Sequence, residues 1–232
     1  MCCDEVIEAF IFVFKDIFSY AVNEIPLRFT KYFITIVNKT CAQKEIMREI
    51  SEQSVSDLVE QLLTRLLIDN FEKVGDNKEG ELILKNLNSS MLRMLENCKP
   101  TYVYVVLFSL LIKYKGDVSI PKLPGLIIKC LLKLSKLMDK LIDKIDMRRF
   151  LVSVHEFLLV IDHEQKTSND DLGIRIVKTL INEIVKIKGE GIWDAYTVVE
   201  AHPQPDLHLK KWIQIILKSL NNQQRGVLDQ SD

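Results

Sequence analysis

Glycine and proline are scarce: the 232 residues hold 8 Gly and 6 Pro. An all-β sandwich needs a turn signal about every 8–12 residues, so that class is excluded, and collagen-like, mucin-like and disordered readings fall with it. Cysteine is rarer still. Its five copies are odd in number and form no C-x-x-C pair, which removes a disulfide framework and a zinc site. Cys98 and Cys130 read as small core hydrophobes, and Cys2-Cys3 as a fraying end. Charge of one sign is missing too. Lys+Arg 31 against Asp+Glu 32 leaves a net charge of -1, with no general basic excess to hold nucleic acid or an anionic membrane. The longest apolar runs, near 11–14 and over 102–112, fall short of the ~20 residues that cross a bilayer. Acidic Asp4-Glu5 is the wrong flank for a secretory signal, so an intracellular chain is expected.

Catalytic patterns are absent as well. No G-x-S-x-G occurs, and Asp170-Asp171 sit in a polar stretch with nothing to shift their titration. His155-Glu156 lacks the second histidine that a zinc helix carries four residues on, so His155 reads as a packed side chain. His202 and His208 flank a Pro-Gln-Pro turn without a ligand at metal spacing. Lys186 to Gly191 lacks the G-K-[ST] ending of a phosphate loop and follows a helix, so Gly189 reads as a left-handed C-cap. No enzyme, cofactor or metal is expected. Trp193, just past this turn, is expected to fold its indole over Ile184 and Ile187 as a packing wedge.

What is present is helical spacing, almost from end to end. Helices are predicted over 4–22 and 26–37, with Pro26 at a helix start. Ser54 and Asp57 resemble a capping box before Leu58, Leu62, Leu63, Leu66 and Leu67, with Gly75-Asp76-Asn77 ending that helix. A helix follows through Leu82, Leu87, Met91 and Leu95. The next, 101–114, is apolar nearly all round and should lie mid-core. Pro124 opens a helix with Ile127, Leu131, Leu134, Met138 and Leu141 on one face and Lys129, Lys133, Lys136, Lys140 and Lys144 on another. Asp146 caps the next helix, a polar loop covers 163–171, and helices over 172–187, 192–199 and 207–220 complete the chain. Some ten amphipathic helices with short connections predict an all-α fold, an α-solenoid of stacked antiparallel helix pairs. One HEAT-repeat domain is expected over 1–220, with a flexible tail over 221–232.

The surface signal is local. From Thr101 onward there are 19 Lys+Arg against 16 Asp+Glu, and before it 12 against 16. Arg175, Lys178, Asn182 and Lys186 share one helix face, with Lys188 beyond them. The lysines from 129 to 144 form the second row. Such rows either keep a face solvated or dock an acidic partner through exposed contacts worth under ~1 kcal/mol each.

The stretch 172–194, LGIRIVKTLINEIVKIKGEGIWD, resembles a R-x-x-K-T-[LI]-x-x-x-[LIV]-x-K-[LI]-[KR]-G motif near the C-terminus of the large microtubule-polymerase proteins of the TOG family. Arg175, Lys178, Thr179, Leu180, Val185, Lys186, Ile187, Lys188 and Gly189 carry the match. Two further blocks, 84–92 and 126–134 running on to 155–158, agree in order, so the resemblance covers about 5–217. It implies a TOG-like HEAT-repeat module, the last and most divergent of a much longer protein, without catalysis. The implied partners are tubulin, microtubules or a coiled-coil spindle adaptor, met in the cytoplasm, on the spindle or at the microtubule-organising centre. Arg175, Lys178, Lys186, Lys188, Lys129, Lys133, Lys136 and Lys140 are the expected protein-binding face, on a monomer that takes neither nucleic acid nor membrane. The first inter-helix turn, Asn23-Glu24-Ile25, lacks the tryptophan that the family's tubulin-binding domains place there, leaving tubulin and adaptor both open. A helical-repeat scaffold or transport adaptor for unrelated cargo is the alternative.

Overall fold

The computed structural model describes residues 3–21, 24–68, 78–164 and 172–228, with the backbone alone at 162–164 and 223–228. Among the described residues there are twelve α-helices, two short 3-10 turns and no strand. The fold is all-α, of the helical-repeat solenoid class. The chain forms two compact units, 1–127 and 128–232, with the boundary inside the helix Leu123–Ser135.

In the first unit, α1 (Cys3–Ile17), α2 (Leu27–Cys41), the short α3 (Lys44–Glu49), α4 (Glu52–Arg65), α5 (Lys78–Asn97) and α6 (Pro100–Lys113) build two rows. α4 packs between α1 and α6, while α2 lies along α5. The periodicity explains these seams. Ile7, Ile11, Phe14 and Ile17 give α1 one buried stripe, and Val55, Leu58, Val59, Leu62 and Leu63 do the same for α4. Helix α6 is buried nearly all round, including Val103, Tyr104, Val106, Leu107, Phe108, Leu110 and Leu111, as its composition requires.

Several expected boundaries move. α1 stops at Ile17 instead of continuing toward 22, because Ser19 turns its hydroxyl onto the Asp16 carbonyl at 2.7 Å. Pro26 stands at the N-cap position of α2, which then extends past Val37 to Cys41. The cap of α4 is Ser51, whose Oγ accepts from the Ser54 amide at 3.2 Å; Ser54 itself is buried inside the first turn. Residues 75–77, expected to end that helix, lie outside the described residues, and α4 ends earlier, at Arg65.

The largest departure is the lysine-rich helix. α7 (Leu123–Ser135) ends early and is followed by a single turn, α8 (Met138–Leu141), and a 3-10 turn (Ile142–Lys144). Ser135 Oγ takes the Leu132 carbonyl at 2.8 Å and the Leu137 amide tightens onto the Leu134 carbonyl at 3.0 Å. Leu134, Met138 and Ile142 are buried, so the core stripe passes to Ile142 in place of Leu141. No proline or glycine marks this break.

In the second unit, α9 (Met147–Glu164) packs on α11 (Ile192–Glu200), and α10 (Leu172–Lys188) packs on α12 (Leu209–Leu228). Asp146 caps α9 as expected, its Oδ1 accepting from the amides of Arg148 at 3.1 Å and Arg149 at 3.2 Å. Of the loop expected over 163–171, residues 163 and 164 belong to α9, which runs through Glu164, and 165–171 lie outside the described residues. Gly189 takes φ +54° at the end of α10, the left-handed position read for it. Helical backbone in α12 continues to Leu228, past residue 221.

Candidate functional site

In the second unit, α10 and α12 set polar and apolar side chains side by side at the surface. Along α10, Gly173, Ile176, Val177, Leu180, Ile181, Ile184 and Val185 are buried, which turns Arg175, Lys178, Thr179 and Lys186 to solvent. Along α12, Leu209, Ile213 and Leu217 recur every four residues and take the core face. Trp212, Ile215 and Ile216 are left on the neighbouring stripe. The two outer stripes meet in a groove of about 420 Å³, lined by Lys178, Thr179 and Asn182 from one side and Trp212, Ile215 and Ile216 from the other. Ile215 is 55% exposed in it.

Trp212 organises this groove. The Lys178 ammonium lies 5.0 Å from its indole centroid, and the His208 ring stacks on it at 5.4 Å with an interplanar angle of 18°. The register of α12 is set by Asp206, whose carboxylate accepts the amides of His208, Leu209 and Lys210 at 2.9, 2.8 and 2.7 Å. The buried Tyr196 hydroxyl donates to the same carboxylate at 2.5 Å. Of the basic residues on these two helices, Lys178 lines the groove, while Lys186, Lys188 and Lys210 are ion-paired with Glu183, Asp143 and Glu200. An apolar floor with one cation at its edge results.

The expected basic residues are spread over two grooves and the turns beside them. Arg175 and Lys178 are exposed beside the groove. Lys186 is salt-bridged to Glu183 at 2.9 Å, and Lys188 to Asp143 at 3.1 Å, so these two present partly neutralised charge. Lys129, Lys133 and Lys136 line a second groove of about 450 Å³ with Leu132 and Leu137, while Lys140 sits apart on α8. Trp193 departs from the expected wedge. It is half-buried, its Nε1 donates to Glu190 at 2.8 Å, its ring meets Tyr196 edge-on at 5.4 Å, and Ile187 stays 40% exposed. Ile192 is the buried residue of that turn. His155 is packed as read, with Nε2 3.1 Å from the Gln204 carbonyl and its ring edge-on to His202 at 4.7 Å. Trp212 carries no motif of its own; its position beside the 209/213/217 core stripe, in a helix without acidic residues, is the signal the sequence holds for it.

Comparison with known proteins decides the family. Over 208 residues the chain is 30% identical to Protein MOR1 of Arabidopsis thaliana, covering 83% of the chain, and the rice MOR1 protein is 30% identical over 205 residues and 81% of the chain. Protein mini spindles of Drosophila melanogaster is 23% identical over 186 residues, 80% of the chain. The chain belongs to the TOG family. It spans about a tenth of the length of these curated relatives: 10%, 10% and 8%. No family model matches the chain, and no solved structure matches it. The TOG-family motif read at 172–194 therefore coincides with α10 and the turn after it, the wall of the groove that holds Lys178.

Proposed function

We propose that this TOG-family chain is a non-enzymatic interaction module of a microtubule-associated protein, docking through the groove between α10 and α12. The observation that carries the reading is the Lys178–Trp212 pair, which joins a motif residue of the family resemblance to an exposed apolar floor. Such a surface suits an anionic partner that also offers an apolar contact. Tubulin, the microtubule lattice or a coiled-coil spindle adaptor meets that requirement, and each would bring the module to microtubules, the spindle or the microtubule-organising centre. Arg175 and Lys178 act at the groove, with Lys186 and Lys188 behind them. Lys129, Lys133 and Lys136 offer a separate cationic patch, and Lys140 stands outside it. Exposed ion pairs are screened within about 10 Å at 0.1 M salt, so binding weakens as salt rises.

The test is a pull-down with the purified 232-residue chain from cytosol at about 50 mM and again at about 200 mM salt. Recovery of tubulin or microtubule-associated proteins at the lower salt, reduced at the higher, supports the reading. Recovery of a distinct cargo set without them supports a scaffold for unrelated partners.

A further inference from the structure

We propose that the outer face of α2 is a second docking surface, shaped for an acidic amphipathic helix of a partner protein. This inference stands apart from the α10–α12 groove and lies in the other unit. Helix α2 divides its residues three ways. Thr30, Phe33, Ile34, Val37 and Cys41 are buried. Lys31, Thr35 and Asn38 turn to α5, where Lys31 pairs with Glu79 at 2.7 Å and the Asn86 amide donates to Thr35 Oγ1 at 3.3 Å. Phe29, Tyr32 and Ile36 remain, 55%, 56% and 54% exposed. They stand at i, i+3 and i+7, a single stripe about 10 Å long at 1.5 Å per residue.

One end of the stripe rests on the core. The Phe29 ring stacks on Phe33 at 6.5 Å and 6°, and Phe33 meets Phe14 edge-on at 5.0 Å and Phe10 at 5.9 Å. Tyr32 lies under the Lys31 ammonium at 5.2 Å. An aromatic ladder thus runs from the core to the surface at Phe29, whose ring needs little ordering when a partner arrives.

Charge and area select the occupant. Helix α2 carries Arg28, Lys31 and Lys39 and no acidic residue. Exposed Arg28 and Lys39 bracket the stripe at its two ends. A second copy pairing α2 against α2 would set cations against cations. The three half-exposed side chains offer about 300 Å² of apolar surface, too little for a stable dimer at ~800 Å² per partner and enough for a weak, transient contact with one helix. An anionic bilayer, a plane far broader than the stripe, would also cover exposed Glu5, Glu8 and Asp16 on α1, whereas a single helix along α2 reaches only Arg28 and Lys39. An amphipathic helix with three apolar anchors and flanking acidic residues matches both the spacing and the charge.

The experiment uses fluorescence anisotropy on the whole chain with two synthetic 18-residue peptides. One places leucines at i, i+3 and i+7 among glutamates; the other has the same composition scrambled. The ordered peptide should bind, the scrambled one at least ten-fold more weakly. Tyr32→Ser with Ile36→Ser, and separately Arg28→Glu with Lys39→Glu, should each weaken the ordered peptide at least ten-fold while the circular dichroism melt stays within a few degrees. Lys99→Glu, an exposed charge reversal outside both surfaces, should leave this affinity unchanged. Equal binding of both peptides, or unchanged affinity in the α2 variants, overturns the proposal. So does loss of a sedimenting dimer in Tyr32→Ser with Ile36→Ser, or α2-dependent binding to vesicles with 30% phosphatidylserine in place of the peptide.

Discussion

The Lys178 ammonium sits 5.0 Å from the centre of the Trp212 indole, joining α10 to α12 across the mouth of their groove. At an exposed site this contact contributes about 0.5–1 kcal/mol, too little to hold the two helices together. Their buried stripes do that. The pair instead keeps a flexible lysine over a broad apolar ring, so that charge and hydrophobic surface are offered at one point.

The turn after α10 gives a paired test of backbone geometry. Gly189 has φ +54° and Gly191 has φ −61°, and a Cβ at either would meet nothing within 4 Å. Gly189→Ala should therefore destabilise by about 1 kcal/mol or more through backbone strain alone. Gly191→Ala should be neutral or stabilise by up to about 1 kcal/mol, because it restricts the unfolded chain. Urea denaturation of the two variants checks this, and equal effects would contradict it.

Asp206 gives a pH dependence. Burial by itself would raise its carboxyl, but the Tyr196 hydroxyl and the amides of His208, Lys210 and Leu209 outweigh it and hold the group below the usual carboxylate range. The folded pKa lies below the unfolded one, so the stabilisation is present above about pH 4 and lost as pH falls through the folded value. Asp206→Ala should cost about 1–2 kcal/mol at pH 7. The gap from wild type should shrink at pH 3, measured by urea unfolding at both values. A gap that persists at pH 3 would assign the effect to packing.

Burial pushes the Cys41 and Cys98 thiols up to about 12 and that of Cys130 up to about 11. At pH 8 they should resist iodoacetamide in the folded protein and react once denatured. Cys3 is half-exposed and should react first. Peptide mass mapping of labelled protein reads each site separately.

Much of the fold was legible because local chemistry and burial agree. Asp146 has a cap's side chain at a cap's position, Gly189 the freedom that a left-handed turn needs, and 101–114 a composition that only a central helix tolerates. The break after Ser135 was hidden, since it depends on one hydroxyl and a tightened turn rather than on proline or glycine. Ser54 was mistaken for the cap because Ser51 lies three residues earlier with the same hydroxyl chemistry. At the site, the lysines were readable but their pairing was not. Glu183 is near in sequence to Lys186, whereas Asp143 reaches Lys188 only through the fold. The place of Trp193 is not legible from its position after a turn, because such an aromatic packs wherever a neighbouring ring lies, here Tyr196. The meeting of Lys178 with Trp212 depends on how α10 lies on α12.

The most direct test of the central claim is co-sedimentation of the purified chain with microtubules at about 50 mM salt, with and without added cytosol. Wild type should pellet. Lys178→Glu with Ile215→Ser alters two exposed groove positions and should weaken binding at least about ten-fold, equivalent to 1.4 kcal/mol, with the melt unchanged. A double variant that pellets like wild type, or a wild-type chain that stays in the supernatant under both conditions, would contradict the account.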